Sequence, residues 1–179
     1  MIRCSWVNQN PLYIKYHDEE WGVASYDDQY LFEMLVLEIF QAGLSWECVL
    51  NKRENFRKAF DNFDYTKIAN YQDKKINELI NNKDIIRNKL KVNATINNAK
   101  IFMNIQKEYK SFSKYIWSFT NNKQIIHKRS LTSNSLSDKI SLDLKKRGMK
   151  FIGTTIIYSY LQAIGIVNDH EKNCFKKNN

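Results

Sequence analysis

Apolar residues recur along this chain at spacings of three and four, the period of an amphipathic helix. The densest such stretch is LFEMLVLEIFQAGLSW, residues 31–46. At helical spacing Leu31, Met34, Leu35, Glu38 and Ala42 share one face. Asp27 or Asp28 can cap its start, and Gly43 is the expected stop. Ser45 is the expected cap of a second helix over 46–60, with Trp46, Val49, Leu50, Phe56 and Phe60 inward. Asp64 opens a short helix to about residue 70, and Asp73 opens another with Ile76, Leu79 and Ile80 inward. A turn at 82–84 leads into a long helix over 86–109, with Leu90, Ala94, Ile101, Phe102 and Ile105 near the apolar side. Ser111 or Ser113 precedes a short aromatic helix through Tyr115, Ile116, Trp117 and Phe119. Residues 120–134 are polar and read as a surface loop. Ser135-Leu-Ser-Asp138 resembles a capping box for a helix ending near Arg147. Residues 148–153 form a short hairpin into a last helix, 154–163, which Gly165 stops. Residues 1–26 read as irregular, yet carry Trp6, Tyr13, Tyr16, Trp21 and Tyr26, rings that must pack onto something.

Composition narrows the class. A chain of 179 residues with 43% apolar residues suits one domain, 1–179, with a real core. Five Gly and one Pro are few for an all-β protein with many tight turns, so the expected fold is all-α. The net charge of +9 favours a polyanionic partner. No apolar run reaches the length of a membrane span, and the N-terminus lacks the apolar core of a signal peptide, so a cytoplasmic protein is expected. Three Cys argue against a closed disulfide framework.

Three constellations can carry chemistry. Glu38 is a carboxylate on an apolar face, where an ionised group is costly unless compensated. It is either paired with a core Arg or awaits a ligand. The nearby rings offer stacking faces and, at Tyr13 and Tyr16, hydroxyls; the alternative is a core of large rings. Second, Cys4 and His17 near one end and His170 and Cys174 near the other make a Cys2His2 set suited to structural zinc, against the alternative of free thiols. Third, RGMKFIG joins two helices by a Gly-bounded turn that can offer backbone N–H groups to a phosphate. Lys145, Lys146, Arg147 and Lys150 surround it; the alternative is an ordinary connection with a basic last turn. Cys48 is expected in the core, and His127, beside Lys128 and Arg129, in solvent or near phosphate.

Four stretches together carry a resemblance: CSWVNQNPLYIKYHDEEWGV, LFEMLVLE followed two residues later by QAGLSW, KKRGMKFIGTT, and NDH with Cys174 after three intervening residues. They closely resemble the family of 3-methyladenine DNA glycosylase I, over nearly the whole chain. The resemblance implies a helix-hairpin-helix superfamily fold, with zinc held by Cys4, His17, His170 and Cys174 stapling the two ends. It implies a base pocket of Glu38, Tyr16 and Trp46, walled by Trp6, Tyr13 and Trp21, with Glu38 as the catalytic group. Lys145, Lys146, Arg147, Gly148, Lys150 and Gly153 would meet DNA. The implied partners are duplex DNA bearing alkylated bases and the freed 3-methyladenine; a monomer suffices and no membrane is involved. Residues 154–159 supply no acid or Lys after the hairpin, which fits a monofunctional enzyme. Ile39 and Phe40 depart from the small or polar residues that relatives carry there, and residues 120–134 look shortened.

Overall fold

In a computed structural model describing residues 1–127 and 131–177, the organising stretch is one buried helix, α2 (Asp28–Gln41). Asp27 caps it, accepting from the Gln29 N–H. All ten residues from Leu31 to Phe40 are buried, so the helix has no solvent face. A helix apolar all round belongs at the centre of a fold. Ile39 and Phe40, the departure from the family pattern, are both in the core.

Around α2 the chain supplies α1 (Pro11–Glu19), α3 (Trp46–Ala59), α4 (Tyr65–Ile68), α5 (Asp73–Asn81), α6 (Lys89–Tyr109), α7 (Phe112–Ser118), α8 (Ser135–Lys146) and α9 (Thr154–Ala163). The centre packs against α3, α6, α7 and α9. Its first turn also anchors α7: the Asp28 carboxylate accepts from the Phe112 and Ser113 N–H groups at 2.8 and 2.7 Å. Its far end is held by Lys91 of α6, whose buried ammonium donates to the Phe40 and Ala42 carbonyls at 3.1 and 2.9 Å. A cation at a helix C-terminus satisfies orphan carbonyls and complements the dipole.

The helical expectation holds, with several differences. Residues 1–26 are not irregular throughout, because α1 occupies 11–19. Asn10 caps it and Pro11 takes the first position, where a missing N–H costs nothing. Leu90 is 68% exposed rather than on the apolar side of α6. The capping box lies one residue earlier, between Asn134 and Ser137. The loop over 120–134 contributes a two-residue strand, β1 (Ile125–Ile126), parallel to β2 (Val167–Asn168). Gly165, the expected stop, has φ +76°, and a Cβ there would lie 2.2 Å from the Val23 backbone. Only Gly permits that crossing, which brings the segment after α1 against the end of α9.

Candidate active site

Trp6, α1, Trp21, the end of α2, the start of α3 and one face of α9 enclose a cavity of about 130 Å³. All six side chains expected at a base pocket line it: Glu38, Tyr16, Trp46, Trp6, Tyr13 and Trp21. Three more were missed from sequence: Gln41, Ser159 and Gln162. Gln41 is legible in retrospect, three residues beyond Glu38 on the same helix, as are Ser159 and Gln162 as polar breaks in an apolar helix.

The walls are rings in mutual contact. Trp6 lies 5.2 Å from Tyr13 and 4.9 Å from Trp21, the latter edge-on, and Tyr16 lies 5.1 Å from Trp46. Glu38 is only 3% exposed and makes no hydrogen bond or ion pair among the described residues. Burial alone pushes its carboxyl up to about 8. The core ion pair left open for Glu38 is made instead by Glu33, which meets Arg53 at 2.6 Å. The Tyr16 hydroxyl is held far above its ordinary range by burial and by the nearby Glu38. The Trp46 Nε1–H is buried without an acceptor. A buried polar group without a partner is uncommon in a native interior, and Glu38 and Trp46 both line this cavity.

Beside this cavity the two ends of the chain meet. Cys4, His17, His170 and Cys174 are all buried, with donor atoms within 4.8 Å of one another. Cys4 Sγ lies 3.4 Å from His170 Nδ1, and Cys174 Sγ lies 3.4 Å from His17 Nε2 and 3.5 Å from His170 Nδ1. Each imidazole is oriented from behind. His17 Nδ1 meets Asp18 at 2.7 Å, and His170 Nε2 meets the Trp21 carbonyl at 3.0 Å. Partners of this kind fix which ring nitrogen faces a metal. Burial lowers the His170 imidazole to about 4, leaving it neutral as a ligand must be. The four side chains can hold a metal ion, as the sequence expected.

Comparisons with known proteins agree with this geometry. The methyladenine glycosylase family profile matches residues 6–177. The chain belongs to the methyladenine glycosylase family. It is 48% identical to DNA-3-methyladenine glycosylase 1 of Escherichia coli (strain K12) over 179 residues, covering 97% of this chain and 96% of that one. A crystal structure of 3-methyladenine DNA glycosylase I superposes with a TM-score of 0.94 at 47% identity, covering 98% of this chain and 99% of the other. A variant of 3-methyladenine DNA glycosylase I in complex with 3-methyladenine also gives 0.94, at 34% identity, covering 99% and 98%.

In this methyladenine glycosylase the basic hairpin is built as a rigid turn. Gly148 has φ +96° and Phe151 φ +56°. Asn97 and Asn98 of α6 clamp it: Asn97 donates to the Gly148 carbonyl at 2.9 Å, and Asn98 both donates to and accepts from Lys150, at 2.9 and 2.8 Å. Ser141 fixes the Ile152 carbonyl at 2.7 Å. Gly153 caps α9 with no side-chain bond, leaving the helix's first N–H groups open. Lys145, Lys146 and Lys150 are exposed and make no ion pair among the described residues. Arg147, unlike these lysines, has partners within the protein. It is held by Glu108 at 2.6 Å and Asp143 at 2.8 Å, and lies over the Tyr109 and Tyr115 rings. These partners keep its charge occupied within the protein.

His127 is also not in free solvent: its Nδ1 lies 2.8 Å from the Tyr158 hydroxyl and 3.1 Å from Asp169. Its neighbours Lys128 and Arg129 lie outside the described residues. Cys48 is half-buried on α3 rather than in the core.

Proposed function

We propose that this chain excises 3-methyladenine from alkylated duplex DNA by hydrolysing its N-glycosidic bond, releasing the free base. The observation that carries the reading is Glu38, a buried carboxyl without a partner in a ring-walled cavity, in a member of the methyladenine glycosylase family. The relative that holds 3-methyladenine has the same fold over nearly the whole chain, which supports the same ligand here.

Methylation at N3 gives the base a positive charge and weakens its bond to the sugar. A base rotated out of the duplex would enter the cavity and stack on Trp46, where cation–π attraction favours it. Glu38 would accept from its amino edge and balance its charge, and the Tyr16 hydroxyl would add a polar contact. Because the leaving base is already cationic, the enzyme has little further activation to supply. No Lys follows the hairpin as an amine nucleophile, which supports a monofunctional hydrolase without lyase activity.

The hairpin over 148–153 and the open N–H groups of α9 support a helix-hairpin-helix element that grips DNA phosphate. Lys145, Lys146, Arg147, Gly148, Lys150 and Gly153 would form that face. Cys4, His17, His170 and Cys174 would hold structural zinc. Zinc bound to two thiolates and two imidazoles in a tetrahedron places S and N about 3.6 Å apart, close to the separations here. When bound, the ion would neutralise the thiolates and tie the ends of the chain together, taking no part in the reaction. We read residues 1–179 as one domain acting as a cytoplasmic monomer. Among the described residues no helix is long and apolar enough to cross a membrane.

The test is a glycosylase assay on duplex DNA treated with a methylating agent, with released bases separated chromatographically. Free 3-methyladenine is expected, with the abasic strand left intact. Retention of all methylated bases would refute the proposal.

A further inference from the structure

We infer that Gln162, locked by buried Asp169, is a specificity-determining residue that selects bases offering an N–H edge to the cavity over those offering a carbonyl. This rests on the glycosylase reading above and deepens it.

Gln162 lies on α9 and lines the cavity opposite the α2 residues Glu38 and Gln41. Its Nε2 donates to Asp169 Oδ2 at 2.8 Å. The amide thus turns its N–H toward Asp169 and its carbonyl away from it. The same carboxylate oxygen takes a second hydrogen bond from the Tyr158 hydroxyl at 2.6 Å. Its other oxygen lies 3.1 Å from His127 Nδ1. Asp169 Oδ2 is therefore held by two donors, Tyr158 and Gln162, while Oδ1 has no hydrogen-bond partner among the described residues. With Nε2 committed, Gln162 can present only its carbonyl oxygen elsewhere. That Oε1 accepts from no described residue, while the side chain borders the cavity.

The lining thus offers Glu38 and Gln162 Oε1 as acceptors on separate helices, with Gln41, whose Nε2 donates to the Leu44 carbonyl at 3.1 Å, as a further acceptor beside Glu38. An amide free to rotate would serve donor or acceptor alike. A locked one discriminates, because an opposed carbonyl leaves two acceptors facing each other. An N-alkylated adenine carries an exocyclic amino group and a positive charge, both suited to acceptors. An N-alkylated guanine carries the charge but presents O6 where adenine presents its amino group. Asp169 acts through Gln162 and is a positioning residue.

The experiment compares release of 3-methyladenine and 3-methylguanine from one preparation of methylated DNA. For Gln162→Met, which keeps the length and removes the acceptor, the preference for 3-methyladenine in kcat/KM is expected to fall about tenfold. Asp169→Asn frees the amide to turn and should lower the same preference, yet add nothing in the Gln162→Met background. An unchanged preference in folded Gln162→Met overturns the inference, as does an additive effect of Asp169→Asn. If Gln162→Met fails to fold, Gln162→Asn keeps an amide too short to span Asp169 and the cavity, and must show the same loss of preference. Failure of the wild-type protein to release any methylated base would instead refute the glycosylase reading.

Discussion

Glu38→Gln should make this protein more stable and worse at its task, with the gain in stability depending on pH. An ordinary glutamate titrates near 4.5, and burial moves Glu38 to about 8. Ionising it in the empty cavity therefore costs about 5 kcal/mol. Below pH 4.5 the group is protonated folded and unfolded, and the cost is absent. Between pH 4.5 and 8 the folded protein keeps a proton that the unfolded chain has lost, so stability falls as pH rises. Above pH 8 both states are ionised and the full cost applies. A neutral amide escapes this dependence. Relative to wild type, Glu38→Gln should gain nothing from this source at pH 4, about 3 kcal/mol at pH 7 and about 5 kcal/mol at pH 9. For a chain of this size, 3 kcal/mol raises Tm by roughly 6–12 °C. The same change removes a charge-assisted hydrogen bond to a cationic base, weakening binding by about ten- to a hundredfold. Thermal melts of both proteins from pH 4 to 9, with binding of 3-methyladenine at neutral pH, provide the check. A Tm difference that does not grow with pH would refute a carboxyl held neutral by burial. Unchanged binding and excision would remove Glu38 from the mechanism.

Other substitutions probe the parts that position the cavity. Cys174→Ala should abolish stoichiometric metal by elemental analysis and lower Tm by about 10 °C or more, while wild-type protein without zinc would refute the assignment. Gly165→Ala forces a Cβ into the Val23 backbone at positive φ. It should cost at least about 3 kcal/mol by denaturant unfolding, and a loss under 1 kcal/mol would mean the crossing can yield. Lys145→Gln with Lys150→Gln should weaken binding to all duplexes alike and reduce the salt slope by about two. A change confined to methylated DNA would argue against phosphate contact.

The helices were legible where caps and period agreed. Asp27, Ser45, Asp64 and Ser111 each cap the helix expected of them. What failed had competing physics. Around α1 the aromatic content masked a short helix signalled by Asn10 and Pro11. Leu90 follows the apolar period of its sequence but falls in the first turn of α6, where the chain is still exposed. Asn134 displaced Ser135 as cap because Ser137 could answer it reciprocally. Periodicity singled out Glu38 as a carboxylate on an apolar face, and the family resemblance joined it to Tyr16, Trp46 and the ring walls; Gln162 was missed, since no local pattern brings it to Trp6. Arg147 illustrates a limit of reading charge from sequence. Its carboxylate partners are Asp143 on the preceding turn and Glu108 on another helix, and only the fold brings Glu108 near.

The meeting of the two chain ends has a consequence for synthesis. Cys4 and His17 are made well before His170 and Cys174, with 166 positions between Cys4 and His170 and 157 between His17 and Cys174, and Phe175 donates its backbone N–H to the Ile2 carbonyl at 3.0 Å. Trp21 belongs to both regions: its carbonyl orients His170, and its indole walls the cavity. A nascent chain therefore carries every ring of the pocket long before it can fix them. Synthesis through Cys174 becomes the event that completes the site, and a chain that stops short of it lacks both the cluster and its brace on the pocket wall.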